Sequence, residues 1–374
     1  MHTLDGRDAG GQFLRRALTL SALENEPMRL EHVRGDRPTP GLANQHLAAL
    51  ETMADICDAD VTGAALESQT VEFDPSTASG ISGGEYHVSV GTAGSLTLLF
   101  DTLLSLAARL EAPLTVTATG GTDVKWSPPV DYFRRIKLPL LRRHGLQAAL
   151  EVERRGFYPA GGGRLRLQVA PSTFRPLGLE ERGPLTGIAV HSTEADSLAD
   201  ANVAERQASG ALERLQTKLT SGLAEDVGNG DDAVPVRERV ETTAQTQCPG
   251  SVIVIALEFA NDSGPEKPGS ATERYWPLAG ASELGEPGKP AERVGEEAAD
   301  EALELLETSG TVDRYLADQL LEHLAIAGGH LRIPERTAHV ETSLRLLESF
   351  NYTINSKGRN DGSVHLSAAG APHR

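Results

Sequence analysis

Short segments with the character of strands alternate along this chain with longer segments of helical periodicity. Residues 12–24 place apolar side chains at helical spacing, and residues 41–57 do the same. Between them the run at 28–34, MRLEHVR, is typical of a strand. Because helices that follow strands in this way pack onto sheets, the alternation indicates an α/β protein.

The alternation continues through most of the 374 residues. Further strands are predicted at 70–75, 86–90, 114–119, 164–170, 187–192 and 252–259. Further helices are predicted at 94–110, 130–145, 203–220, 291–307 and 311–327.

The composition changes after residue 181. Gly-, Pro- or acid-rich runs that predict exposed loops lie at 221–232, 261–270 and 283–290. Sequence patterns typical of a functional site are sparse between residues 182 and 308 and occur again from residue 309. An inserted domain over 182–308, within a main domain of residues 1–181 and 309–374, is the simplest account.

The charge balance is strongly acidic, with 53 acidic and 35 basic residues and a net charge of -18. That balance argues against a general nucleic-acid coat. Only six of the 35 basic residues are lysines, and an acidic, lysine-poor surface stays hydrated in concentrated salt, so we expect a halophilic cytoplasm. Such salt screens long-range attraction, so any binding of a nucleic acid would depend on close arginine contacts.

The termini and apolar runs give no sign of export or membrane insertion. No apolar run approaches the roughly 20 residues that a membrane helix needs. The start of the chain, MHTLDGRDAGGQ, lacks the basic-then-apolar order of a secretory signal. We therefore expect a cytoplasmic protein without a membrane partner.

Arginines in the N-terminal part lie beside other polar groups, a weak signal of a phosphate site. Guanidinium groups suit phosphate oxygens, because each can donate two parallel hydrogen bonds. Solvated surface charge is the commoner explanation for any single arginine. The cluster consists of Arg15, Arg34, Arg37, Gln45 and His46. Gly-rich turns at 9–11, 120–122 and 161–163 lack the spacing of a P-loop or a dinucleotide fold, so any nucleotide site is of another kind.

A histidine near the C-terminus lies in the segment RIPERTAHVETSL, which we interpret as strand-like. A neutral imidazole has a free lone pair that can attack an activated phosphate, and it can later leave again. The residues alone do not select His339 for this role from the eleven histidines of the chain.

Seven ordered blocks together resemble the RNA 3′-terminal phosphate cyclase family. They are LDGRDAGGQFLRRALTLS, VRGDRPTPGLANQHLAA, VGTAGSLTLLF, GGTDVKWSPPVDYFRR, RGFYPAGGG, RYLADQLLEHLAIAG and RTAHVETS. The segment 182–308 is the least similar part. The resemblance implies a large α/β domain of three repeated units, each a small sheet with two helices on one side, interrupted by a smaller α/β domain.

The resemblance also implies the roles of individual residues. His339 matches the histidine that becomes adenylated by ATP. The positions expected around the adenine are Pro128, Tyr132, Tyr315 and Asp318, with Gln319 next to them in the nucleotide site. Arg15, Arg34, Arg37, Gln45 and His46 match the phosphate side.

Two departures from the family pattern affect the expected Mg²⁺ or Mn²⁺ site and its surroundings. The N-terminal loop reads RDAGGQ where relatives carry GEGGGQ with a metal-binding glutamate. Asp8 is the candidate ligand in its place, and Asp5 in the preceding strand is the other nearby carboxylate. Asp101 stands where relatives can have glutamine. A carboxylate near phosphates repels them unless it contacts a metal or an arginine.

The implied reaction is an ATP-dependent ligase reaction on an RNA with a 3′-terminal phosphate. The histidine takes AMP from ATP, the RNA 3′-phosphate takes the AMP, and the neighbouring 2′-hydroxyl expels AMP to give a 2′,3′-cyclic phosphate. Two alternatives remain: a non-catalytic cyclase-like protein of ribosome assembly, which lacks the histidine, and an enzyme that adenylates RNA or DNA ends.

Overall fold

The computed structural model describes residues 1–220, 234–260 and 275–371. The loops predicted at 221–232 and 261–270 lie outside the described residues. Within the described ranges the chain forms four sheets of four strands each, with helices between the strands. The predicted α/β class is confirmed.

The first sheet has the strand order β1-β2-β4-β3. Strands β1 and β2 are parallel and joined by α1, whereas β4 runs antiparallel to both of its neighbours. The elements are β1 (His2–Asp5), α1 (Gly11–Glu24), β2 (Met28–Glu31), α2 (Asn44–Cys57), β3 (Asp60–Thr62) and β4 (Val71–Asp74).

The second sheet, of order β5-β6-β8-β7, repeats this connectivity. Its elements are β5 (Gly84–Ser89), α3 (Leu96–Leu104), a 3-10 turn (Ser105–Ala108), β6 (Leu114–Gly120), α4 (Val130–Tyr132), a π-helical turn (Phe133–Lys137), α5 (Leu138–Arg143), β7 (Gln147–Arg154) and β8 (Gly163–Ala170). The helix predicted at 130–145 is therefore one helical segment that a π turn interrupts.

The third sheet, of order β15-β16-β14-β9, has the same connectivity again. Its elements are β9 (Leu177–Leu179), α8 (Arg314–Gln319), α9 (Leu321–Ala327), β14 (Gly329–Ile333), α10 (Ala338–Ser349), β15 (Asn355–Gly358) and β16 (Val364–Ala368). The helix predicted at 311–327 is two helices that meet at Leu320. The three sheets with one connectivity agree with the three repeated units that the resemblance implies.

The fourth sheet, of order β11-β10-β12-β13, is formed between β9 and α8 in the chain. Its elements are β10 (Leu185–Ala195), a 3-10 turn (Asp196–Ala201), α6 (Val203–Thr220), β11 (Val236–Ala244), β12 (Ser251–Ala260), β13 (Tyr275–Leu284) and α7 (Ala291–Leu306). The division of the chain into domains at residues 182 and 308 stays a prediction.

Helix α1 is the element that brings the three repeated sheets together. Its residues 14–23 are all buried, and it contacts α2, α3 and α10, which belong to different sheets. Burial includes Arg15 and Arg16 as well as the apolar residues of the helix. Residues at the N-terminal ends of α1 and α10 line the same cavity. No helix among the described residues is long and apolar enough to cross a membrane.

Candidate active site

A cavity of about 810 Å³ opens at the N-terminal end of α1. Its walls also include α8, the start of α10, the loop before α4 and the end of β13 in the fourth sheet. The predicted site residues that line it are Arg15, Arg34, Arg37, Gln45, His46, Pro128, Tyr132, Tyr315, Asp318, Gln319 and His339. Residues 300 positions apart in sequence thus share one cavity, whereas Asp8 does not line it.

Donor groups converge on the first turn of α1. This helix has 14 residues, and Gly10 precedes it without a side-chain cap, so its first amides and the positive end of its dipole face the cavity. A Cβ on Gly11 would lie 2.0 Å from Nε2 of His46 and 3.2 Å from Nη1 of Arg15. A Cβ on Gly10 would lie 3.4 Å from Nη2 of Arg37. Glycine at position 11 therefore lets His46 approach the helix end, whereas a Cβ on Gly10 would make only an ordinary contact with Arg37.

His46 is a neutral imidazole held in one tautomer. Its Nδ1 accepts a hydrogen bond of 3.2 Å from the backbone amide of Ala43. Burial, together with the charges of Arg15 and Arg34, lowers the pKa of His46 to about 3. With Nδ1 accepting and the ring neutral, the proton resides on Nε2, which is the nitrogen beside Gly11. His46 thus presents an N–H donor to the cavity.

The cavity holds an excess of cations at this end. Burial lowers the pKa of Arg15 to about 10, partly offset by Asp101, so the guanidinium stays charged near neutrality. Burial and the neighbouring Arg37 also lower the pKa of Arg34, whose Nη1 donates to the carbonyl of Gly41 at 2.9 Å. Such a set of charges and N–H donors is suited to an anion with several oxygens, such as a polyphosphate.

A buried network fixes α10 against α1 and α8. Arg16 on α1 donates from Nη1 to Oδ1 of Asp318 at 3.3 Å and from Nη2 to the Asp318 carbonyl at 3.0 Å. Ser343 on α10 donates to Oδ1 of Asp318 at 2.7 Å, and Gln12 donates to Oδ2. Burial acts to raise the pKa of Asp318, but the Arg16 charge and these donors outweigh it, so the pKa lies below its usual value. Asp318 thus ties three helices together, and the adenine contact expected of it stays a prediction.

His339 lies in the first turn of α10, not in a strand. Thr337 caps this helix by accepting a hydrogen bond of 3.2 Å from the amide of Val340. The interpretation of the segment as strand-like was wrong, because TAHVETS carries a Thr cap ahead of an apolar helical stripe. His339 is exposed and lines the cavity, where the positive end of the helix dipole favours a negative group bonded to its ring.

The two tyrosines predicted beside the adenine have different environments. Tyr315 is half exposed, and the guanidinium of Arg314 lies 4.9 Å from its ring centroid. Tyr132 is buried, and its hydroxyl donates to Oδ2 of Asp313 at 2.6 Å. Since Asp313 also caps α8 through the amides of Tyr315 and Leu316, Tyr132 supports the helix that carries Tyr315. Of the two tyrosines, only Tyr315 presents a partly exposed ring.

Trp126 is a cavity residue that sequence reasoning missed. Its side chain is 95% exposed, and its backbone has a φ of 62°, a left-handed conformation that is unusual for a bulky residue. The loop is held at its base by Asp123, which accepts from the amide of Val130 at 3.1 Å and from Arg155 at 3.1 Å. An exposed indole on a braced loop is an open stacking surface at the cavity mouth.

Lys137 is a second residue that sequence reasoning missed. It is 1% exposed, and its Nζ contacts Asp101 and donates to Oε1 of Gln319 at 2.9 Å. The contact neutralises Asp101, so this departure from the family pattern does not leave an unpaired carboxylate next to a phosphate. The pairing joins residues 36 positions apart and could be found only from the fold.

Neither Asp8 nor the carboxylates beside the first turn of α1 form a ready site for a divalent cation. Asp8 is 62% exposed and pairs with Nη2 of Arg345 at 3.2 Å, outside the cavity. Inside it, Asp101 pairs with Lys137, and Glu322 lies 3.8 Å from Arg16. Burial raises the pKa of Glu322 to about 7, which disfavours its charged form. Metal ions prefer free carboxylate oxygens, and these ones are already paired or disfavoured as anions.

Comparisons with known proteins agree with the geometry. A family model described as "RNA 3'-terminal phosphate cyclase" matches residues 7–354. A protein of that name from Halobacterium salinarum is 43% identical over 376 residues, which cover 98% of this chain and 100% of the relative. A protein of the same name from Methanopyrus kandleri is 37% identical, and the match covers 92% of this chain and 90% of the relative. Another from Ectopseudomonas mendocina is 36% identical, and the match covers 93% of this chain and 92% of the relative.

Proposed function

Because the chain belongs to the RNA 3′-terminal phosphate cyclase family, we propose that it is an ATP-dependent ligase that converts an RNA 3′-phosphate to a 2′,3′-cyclic phosphate. The observation that carries the proposal is the position of His339 in one cavity with Arg15, Arg34 and His46. A nucleophile and a set of phosphate donors are what adenylation of a side chain needs.

In the first step an imidazole nitrogen of His339 attacks the α-phosphorus of ATP, and the bond to pyrophosphate breaks. The donors at the start of α1 suit the charge on the phosphates, because the amides, Arg15 and Nε2–H of His46 all face the same space. The product is a phosphoramidate between His339 and AMP. The N-terminal end of α10 favours its negative charge.

In the second step an oxygen of the RNA 3′-phosphate attacks the phosphorus of the His339 adduct, and the N–P bond breaks. The RNA then ends in a diphosphate linked to adenosine. In the third step the 2′-hydroxyl oxygen attacks the RNA phosphorus, loses its proton, and expels AMP. Since the hydroxyl is tethered beside the phosphorus, the protein needs to supply mainly alignment.

Adenine recognition is proposed at Tyr315 and Pro128. Tyr315 offers a half-exposed aromatic ring, and the Pro128 carbonyl is fixed by a 2.7 Å hydrogen bond from Oγ1 of Thr97. Both residues line the cavity, and an aromatic face suits stacking on the flat ring of a base. Gln319, held by Lys137, and Asp318, held by Arg16, lie at the same end of the cavity.

The RNA end is proposed to stack on Trp126. The indole is exposed at the mouth of the cavity, and stacking tolerates any base because each base has a π-face. Recognition of the terminal phosphate rather than of base sequence follows, since base-edge contacts are what confer sequence specificity. Concentrated salt would screen the repulsion between RNA and a chain with a net charge of -18, so short-range contacts of this kind would carry the binding.

A divalent cation is proposed to arrive with the phosphates of ATP, whose oxygens would be its main ligands. Asp8 remains the candidate protein ligand, and it would have to exchange Arg345 for the metal. None of the three steps requires a nucleophile or leaving group that is bound to the cation.

Product analysis tests this function. The chain is incubated in high salt with ATP and either of two oligonucleotides, one with a ribose and one with a 2′-deoxyribose at the 3′-phosphorylated end. We expect the first to give a cyclic phosphate and the second to stop at the adenylated end, because only ribose carries the attacking hydroxyl. Adenylated ends from both would indicate the end-adenylating alternative. No reaction of either would indicate the non-catalytic alternative.

A further inference from the structure

Three side chains that can ligate a metal converge on the third sheet. Oε1 of Glu180 lies 3.1 Å from Nδ1 of His330 and 3.6 Å from Nε2 of His365. One ligand atom from each of the three residues lies within 4.8 Å of those of the other two. None of them lines the cavity described above, so the cluster is separate from the proposed adenylation chemistry.

The sheet register brings the cluster together. Strands β14 and β16 are antiparallel, with His330 opposite Ser367 and Arg332 opposite His365. The two histidines are therefore diagonal neighbours, and both alternate with buried residues, so they share the outer face. Their rings stack with centroids 5.3 Å apart and an interplanar angle of 24°. Glu180 directly follows β9, which pairs with β14 on its other side.

Two imidazoles and one carboxylate form a donor set typical of Zn²⁺. Ligands about 2.0–2.1 Å from a tetrahedral zinc lie roughly 3.3–3.4 Å from one another. The two distances to Glu180, 3.1 Å and 3.6 Å, bracket that separation. We propose that Glu180, His330 and His365 bind one Zn²⁺ ion, with water in the fourth position.

Two cationic side chains, Arg332 and Lys357, neighbour the proposed site, and only Lys357 is expected to oppose a bound cation. Arg332 is in register with His365, but its guanidinium contacts Asp361, and its Nε donates to Oγ of Ser363 at 2.9 Å. Lys357 on β15 is also in register with His365 and is exposed. Its ammonium opposes a bound dication, so Lys357→Gln is expected to strengthen zinc binding.

The bound ion would join three separate strands. It would link the end of β9 to β14 and β16, at the point where the chain leaves the third sheet for the fourth. Strand β9 has only three residues, so a ligand bond at its end would hold it in the sheet. A ligand that binds only the folded state raises the thermal midpoint of unfolding.

Zinc titration of the full, chelator-treated chain tests the site. We expect calorimetry to show one more Zn²⁺ per chain in the wild type than in His330→Ala or His365→Ala. Glu180→Gln, which keeps the size of the side chain, should weaken binding at least about tenfold. His87→Ala is the matched control, because His87 is an exposed strand histidine of the second sheet outside the cluster. All four variants should keep full adenylation activity.

Unchanged zinc stoichiometry and affinity in both histidine variants would overturn the proposal and leave Glu180 as an ordinary ion-pair partner. An equal rise in the melting temperature of the wild type and of both histidine variants on addition of zinc would also overturn the proposal. Co²⁺ gives a second readout, since its visible absorption depends on its ligands: the wild-type spectrum should differ from that of Glu180→Gln, and identical spectra would contradict the site.

Discussion

The Nε2 atom of His46 lies where only a glycine at position 11 can accommodate it, since a Cβ there would be 2.0 Å away. The opposite ring nitrogen accepts from the Ala43 amide. These two contacts fix the orientation and the tautomer of His46 together. They leave a fixed N–H donor beside the first turn of α1, an arrangement suited to the oxygens of an anion.

Gly11→Ala is therefore expected to damage the phosphate site more than the fold. The new methyl group displaces His46, and overpacking of this kind costs about 1–3 kcal/mol of unfolding free energy. ATP binding, measured by calorimetry, should weaken at least about tenfold, the effect of misplacing one charge-assisted donor set. Gly178→Ala is the control, because a Cβ at that glycine meets no atom within 4 Å. Equal ATP affinity in both variants would contradict the assigned role of His46.

Arg37→Ala separates phosphate binding from stability. Arg37 is exposed at the mouth of the cavity beside Gly10, so its loss should change the melting temperature little. A hydrogen bond to a charged group contributes about 1.5–3 kcal/mol, so the rate of adenylation at low ATP should fall by roughly 10- to 150-fold. Arg293→Ala, on the exposed face of α7, serves as the control. A drop in melting temperature that accounts for the lost activity would favour a structural role for Arg37.

Trp126→Ala should impair RNA use without changing self-adenylation. Stacking contributes about 1–3 kcal/mol per base, so the KM for a 3′-phosphorylated RNA should rise by roughly 5- to 150-fold. Trp126→Phe, which keeps an aromatic face, should recover most of that loss. Labelling of the protein by ATP is the internal control, because Trp126 is expected to contact RNA only. An equal loss of self-adenylation and of RNA use in Trp126→Ala would contradict a role for Trp126 in RNA binding.

His323 gives the protein a defined sensitivity to acid. Its ring is buried against Phe174, and burial, assisted by His144 and Lys137, lowers its pKa to about 3. Between pH 6.5 and 3 the unfolded chain binds a proton there that the folded chain does not. The unfolding free energy therefore falls as the pH falls, by about 1.4 kcal/mol per pH unit from this residue.

His323→Leu should remove that part of the pH dependence. Chemical denaturation at pH 7 and at pH 5 should show a smaller loss of stability on acidification in the variant than in the wild type. Above pH 6.5 the two slopes should coincide, because neither state then binds the proton. Identical slopes between pH 7 and pH 5 would show that the His323 ring is not held neutral.

Much of the architecture could be predicted from periodicity, and the failures have physical causes. The helices α1, α6 and α7 were predicted within one residue of their bounds, because their apolar positions recur at helical spacing. Helix α10 was missed. Its segment contains β-branched residues and a polar surface, and its helical state depends on packing against α1 and on the Thr337 cap.

The residues proposed for the site come from the resemblance rather than from spacing. His339 and Arg15 are 324 positions apart, and only the fold could bring them to one cavity. The contacts of Tyr132 and Asp101 could likewise be found only from the fold. The Tyr132 hydroxyl donates to Asp313, and Asp101 is paired with Lys137, and both partners are distant in sequence. Trp126 carried no periodic signal, because its exposure comes from the turn that holds it.

Covalent labelling with ATP carrying the label in the α-phosphate tests the central claim most directly. The wild-type chain, incubated in high salt with Mg²⁺ or Mn²⁺, should retain the label after denaturation, and acid should release it as expected for a phosphoramidate. His339→Ala should remain unlabelled while its melting temperature stays close to that of the wild type. A wild type without label under either metal, or a His339→Ala variant labelled as strongly as the wild type, would contradict the account.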